Sequence, residues 1–78
     1  MSDALDNLNL SIKDIGRQLR DARTELDLSQ TELARRIGVR QPIISRIENG
    51  THVLTWRNLV RICDALNMDV RIILQPRD

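Results

Sequence analysis

Four arginines, Arg35, Arg36, Arg40 and Arg46, fall in a stretch from Leu33 to Ile47 that contains no acid. Guanidinium groups gathered without counter-charges suit the binding of phosphate oxygens, to which they present forked hydrogen-bond donors. The net charge of +1 conceals this, because seven of the eleven acids lie in residues 1–32 and the basic segment follows them. A near-neutral protein can face a polyanion in this way; a solvated charged face is the other reading of the same arginines. Other chemistry is poorly supplied. Cys63 is the single cysteine and His52 the single histidine, eleven positions apart, so no intramolecular disulfide and no structural zinc site is expected. Ser, His and Asp occur, but the short helices that the periodicity gives offer no cleft and no oxyanion hole. No catalytic residue, metal or cofactor is therefore assigned, and the chain is not expected to be an enzyme. Trp56 is the only aromatic residue, which argues against a protein that stacks the bases of single strands on aromatic platforms.

The elements that must carry these arginines follow from periodicity. Seventy-eight residues allow one domain, and the 41% of apolar residues is almost all aliphatic, as in a helical core. No apolar run nears the ~20 residues that span a membrane, and no signal peptide is visible at Met1–Leu10. With a single thiol, a reducing cytoplasm is the expected compartment. Residues 1–10 read as a flexible lead-in or a fraying extension of helix 1. Ser11, with Asp14 three positions on, reads as a helix start, and Ile12, Ile15, Leu19, Ala22 and Leu26 form one apolar stripe. Ser29-Gln30-Thr31-Glu32 is a full capping box, opening a helix of about eight residues whose inner face is Leu33, Ala34 and Ile37. Gly38 closes it. Pro42 suits the first turn of helix 3, with Ile44 and Ile47 inward and Asn49-Gly50 at its end. Thr55 caps helix 4, with Trp56, Leu59, Val60, Cys63 and Leu66 as its buried side and Asn67 closing it. His52 falls in the loop between. Met68–Leu74 is β-branched and stopped by Pro76, so it reads as a strand.

Two short helices joined by a tight turn make a helix-turn-helix, whose second helix can enter a major groove while the first braces it. Gln30-Thr31-Glu32-Leu33-Ala34-Arg35-Arg36-Ile37-Gly38-Val39 and Ile44-Ser45-Arg46-Ile47-Glu48-Asn49-Gly50 closely resemble the Xre/Cro-repressor family, from about Ile15 to Leu66. The resemblance implies a mainly α, compact four-helix, lambda-repressor-like domain over residues 11–67. It also implies sequence-specific binding of double-stranded DNA as a dimeric transcriptional repressor, with a recognition helix at about 41–49. The segment Arg40-Gln41-Pro42-Ile43 departs from the family, which has small polar residues at positions 40, 42 and 43. The side-chain cap that a Ser or Thr would give at position 40 is lost or replaced.

Carried over by this resemblance, the base-reading set is Arg40, Gln41, Ile43 and Arg46, with Ser45 at the edge. Arginine can pair with guanine and glutamine with adenine through two hydrogen bonds, and Ile43 can rest on a thymine methyl. Ile43 reads equally as a half-buried staple, and Arg46 as a phosphate or intrahelical contact. Gln30 resembles the family's phosphate contact at a helix N-terminus, or is a plain exposed residue there. Asn49, Thr51 and Arg57 are further phosphate candidates. Glu48, an acid beside a phosphate-facing surface, calls for an arginine partner such as Arg23 or Arg36.

The tail, residues 68–75, offers a strand with no partner in its own chain. The expected solution is an antiparallel pair with a second copy through Val70, Ile72 and Leu74, giving a homodimer on an inverted-repeat operator. The same strand ending resembles HipB-like antitoxins, so the alternative function is the antitoxin of a type II toxin–antitoxin pair, which binds a cognate toxin and represses its own operon. A third reading is a protein-binding adaptor without DNA affinity.

Overall fold

Helix starts, stops and apolar faces set the architecture of the computed structural model, which describes residues 3–51 and 54–77, with side chains from Ile12 onward. Four helices follow one another: α1 (Asp3–Glu25), α2 (Gln30–Ile37), α3 (Gln41–Glu48) and α4 (Trp56–Ala65). The caps are largely those the sequence predicts. The Ser29 hydroxyl accepts from the Glu32 N–H at 3.0 Å, and the Thr55 hydroxyl from the Asn58 N–H at 3.1 Å. Gly38 adopts φ 76°, and the Val39 N–H returns to the Ala34 carbonyl at 3.0 Å. A Cβ at Gly38 would meet nothing within 4 Å, so the left-handed backbone, and not crowding, is the reason for glycine there. Pro42 lies in the first turn of α3, and Arg40 stands at its N-cap without a side-chain cap bond. Asn67, at φ 56°, follows the end of α4.

The core is aliphatic: Leu19 from α1, Leu33, Ala34 and Ile37 from α2, Ile44 and Ile47 from α3, and Ile62, Cys63 and Leu66 from α4 and its end. Burial pushes the Cys63 thiol above its ordinary pKa. Helix α3 packs on α1 and α2, and α2 on α4. Gly16 makes the first of these contacts possible. A Cβ there would lie 2.3 Å from the Ile47 carbonyl oxygen and 2.7 Å from that of Glu48. Only a residue without a side chain lets α1 pass so close to the backbone of α3.

Several expectations are corrected. Helix α1 begins at Asp3, so the start signal at Ser11 lies inside it and residues 3–10 prolong the helix. Leu26 falls beyond the end of α1 and is exposed, while Leu28 packs on the core in its place. In the capping box, the Glu32 carboxylate turns away from Ser29 to pair with Arg35 and Arg36. On α4, Trp56 and Val60 are exposed and Ile62 is buried. The buried stripe is rotated because α4 presents its 62–63–66 edge to α2. Residues 68–77 carry no regular structure. The strand expected over 68–75 is not formed within one chain, since no described segment offers its backbone a ladder partner. His52 lies outside the described residues.

Candidate nucleic-acid interface

The buried residues of α3 are Ile44, Ile47 and Glu48. At 3.6 residues per turn, the opposite face is centred on Pro42 and Arg46, with Ser45 beside them and Gln41 and Ile43 at the two margins. Exposure agrees: Pro42 and Arg46 are open to solvent, while Gln41, Ile43 and Ser45 are half-buried. Arg40 is exposed just ahead of the helix. Ile43 packs partly against the core, as in the staple reading, and keeps an exposed edge. Pro42 is the member of this face that sequence reasoning missed. It was read as a helix start, yet the same first-turn position places its ring on the open side.

A buried polar chain fixes the margin at Gln41. Arg23 of α1 donates through Nε to Glu48 Oε2 at 2.7 Å and through Nη2 to Oε1 at 3.1 Å. Its Nη1 donates to the Leu28 carbonyl at 2.6 Å. Of the two partners named for Glu48 from sequence, the structure selects Arg23; Arg36 is engaged by Glu32. Glu48 Oε1 also accepts from Gln30 Nε2 at 3.0 Å, and Gln30 Oε1 accepts from Gln41 Nε2 at 2.7 Å. An ionised carboxylate can only accept, so Gln30 must turn its NH₂ toward Glu48 and its oxygen toward Gln41. Gln41 must answer with its own NH₂. That leaves Gln41 with one amide hydrogen and its oxygen free among the described residues, the donor–acceptor pair that matches adenine in the major groove.

The basic patch is redistributed by the fold. Arg35 and Arg36 both pair with Glu32, whose carboxyl is held below its usual range first by Arg35 and then by Arg36. Arg40 and Arg46 have no ion pair among the described residues. Arg57, in the first turn of α4, is likewise exposed and unpaired there. The Thr51 N–H and hydroxyl both donate to the Arg46 carbonyl, at 2.9 and 3.3 Å, so this side chain closes α3. Asn49 is exposed and shares a shallow groove with Lys13, Arg17 and Arg20 of α1. These three cations were not singled out from sequence. Their spacing of four and three residues puts them on one helical face, but Arg17 pairs with Asp14, which also lines the groove, and Arg20 lies 3.9 Å from Asp21, so of the three only Lys13 is without an ion pair among the described residues. Val70 packs against the core, whereas Ile72 and Leu74 are exposed.

A two-helix unit closed by Gly38, braced by α1 and α4 and exposing one face of its second helix, defines a helix-turn-helix protein. The chain belongs to the helix-turn-helix domain family, whose model matches residues 14–71. It is 34% identical over 61 residues to the ImmF control region 10 kDa protein of Bacillus phage phi105, an alignment covering 78% of this chain and 68% of that one. It is also 43% identical over 63 residues to the uncharacterized HTH-type transcriptional regulator y4dL of Sinorhizobium fredii. That match covers 81% of this chain but 31% of the regulator, so the chain spans about a third of that relative.

Proposed function

We propose that the protein binds a specific sequence of double-stranded DNA through α3 and acts as a dimeric transcriptional repressor. The observation that carries this reading is the open face of α3. Arg46 stands there without an ion pair among the described residues, Arg40 precedes it, and Gln41 is oriented by a buried hydrogen-bond chain at its margin. In this reading Arg40, Gln41, Ile43, Ser45 and Arg46 contact base edges, and Asn49 and Arg57 contact phosphates, joined by Lys13. The names of the relatives, a control-region protein and a transcriptional regulator, support a regulatory role and not an enzymatic one. Dimerisation proceeds through the tails, with Val70, Ile72 and Leu74 of two copies paired antiparallel, and the operator is an inverted repeat with half-sites about 34 Å apart or a multiple of that.

The test is selection of bound duplexes from a random pool, followed by mobility-shift titration across salt concentrations. A selected inverted repeat is expected, with log affinity falling by about 0.9 per neutralised phosphate for each tenfold rise in salt. Affinity indifferent to salt, or a pool with no enriched sequence, refutes the reading. One observation favours the antitoxin as a second reading. Ile73 is 78% exposed and would lie on the outer face of a paired strand, where a toxin could cover it. Co-expression with the neighbouring gene product and co-purification of a stoichiometric complex decide for that reading.

A further inference from the structure

Of the seven large apolar side chains left exposed among the described residues, six belong to α4 or the tail: Trp56, Val60, Met68, Ile72, Ile73 and Leu74. Three of them, Trp56, Val60 and Met68, line one groove. This groove, of about 250 Å³, is lined by Trp56, Val60, Cys63, Met68 and Val70 and edged by the acids Asp64 and Asp69. The chain's own tail does not fill it. Residues 68–70 form one wall of the groove, and Ile72 lies instead in the neighbouring groove with Ile15, Gln18 and Leu59. The tail thus crosses from α4 toward α1 and leaves the Trp56–Val60 side open. Leu74 follows Val70 by four residues and is 90% exposed.

We infer that this groove receives the tail of a second copy of the chain, with the two-fold axis at Ile72 and Leu74 of each copy seated over Trp56 and Val60 of the other. The inference rests on the tail-paired dimer proposed above and adds its register and its receptor. Val70, Ile72 and Leu74 share one face of an extended strand. An antiparallel pair centred on Ile72 is the register that matches all three, setting Leu74 of one copy beside Val70 of the other. Val70 is already a wall of the groove, so the neighbouring leucine falls onto its open side. The groove is edged by Asp64 and Asp69, and the segment beyond Leu74 carries Arg77, followed by Asp78; Arg77 has no ion pair among the described residues. The contact is reciprocal, so it closes on two copies and does not propagate into a fibre.

Trp56, the sole tryptophan and 56% exposed in the single chain, reports the event directly. In a dilution series of the 78-residue chain, its emission should move to the red as sedimentation shows dimer giving way to monomer. Val60→Glu places an unpaired charge in the contact and should weaken dimerisation about tenfold or more. Because Val60 is exposed in the single chain, helical circular dichroism should be retained. Asp69→Arg should also weaken the dimer, and Arg77→Asp in the same chain should restore it. Trp56 emission that stays constant while the dimer dissociates overturns the proposal, as does a Val60→Glu dimer within twofold of wild type. If Val60→Glu leaves the dimer intact and deletion of residues 71–78 abolishes it, tail pairing stands and the groove contact falls. A monomeric protein that still selects a DNA sequence overturns the interface and leaves the DNA-binding reading standing.

Discussion

Replacing Glu48 with alanine tests how far α3 depends on one buried ion pair. The Arg23 and Glu48 side chains are 11% and 2% exposed, and the guanidinium meets the carboxylate through both Nε and Nη2. Removing the carboxylate leaves Arg23 with the Leu28 carbonyl alone and takes away the acceptor of Gln30. An uncompensated buried charge costs about 3–5 kcal/mol, against about 0.2–1 kcal/mol for an exposed pair. The whole domain, at ~0.05–0.15 kcal/mol per residue, holds only about 4–12 kcal/mol. The loss is therefore a large share of stability, and at about 4–8 °C per kcal/mol it lowers Tm by roughly 12–40 °C. Thermal and urea melts followed by circular dichroism measure it. The paired change Arg23→Leu with Glu48→Leu removes both charges, and with them the desolvation cost, so it should recover much of the loss. A Glu48→Ala cost below about 1 kcal/mol would show that water reaches the pair, and the reasoning from burial would be wrong.

Other expectations are shorter to state. Gly16→Ala forces α1 off the backbone of α3; overpacking of about 1–3 kcal/mol, offset by up to about 1 kcal/mol of helix propensity, should appear as a lower urea midpoint together with weaker operator binding. The Cys63 thiol, buried and with its pKa raised by desolvation, should react with an aromatic disulfide reagent only as fast as the protein unfolds; prompt reaction in the native state would contradict its place in the core. Arg46→Ala should cost about 1–3 kcal/mol on the best site and relax preference at one base pair, as seen by mobility shift on single-base variants; equal loss on every sequence assigns it to phosphate. Gln30→Ala should relax the preference at the base pair that Gln41 reads, more than it weakens binding to all sequences alike.

Most of the fold was legible because its signals are local. The hydroxyls of Ser29 and Thr55, the left-handed turn at Gly38 and the ring of Pro42 act within a few residues of themselves, and each stands where its chemistry requires. What escaped depends on partners distant in sequence. Gly16 is unremarkable in a helical pattern until α3 passes 2.3 Å from where a Cβ would be. Trp56 and Val60 fit the period of α4 as well as Ile62 does, and only the angle at which α4 meets α2 decides which edge is buried. Glu32 was assigned to the Ser29 backbone by motif, but two arginines one turn further on compete for it and win. The tail is illegible in another way: residues 68–77 carry no regular structure, and no described segment offers them a ladder partner.

Gln30 shows how these distant partners change a functional assignment. Its place at the start of α2 suggests a side chain aimed at a phosphate, and a loss that would be uniform across sequences. In the structure both ends of that side chain are occupied, the amide by Glu48 and the oxygen by Gln41. The group at this position that stays free to meet a phosphate is the backbone N–H, one of the donors that a helix start leaves without a partner. Truncation to alanine keeps that N–H and removes only the link to Gln41. Without the link, the Gln41 amide can turn either way and offers adenine's donor–acceptor pattern no better than its reverse. In the proposed reading, Arg23, Glu48 and Gln30 therefore bear on sequence preference without touching a base, by fixing which way one amide points.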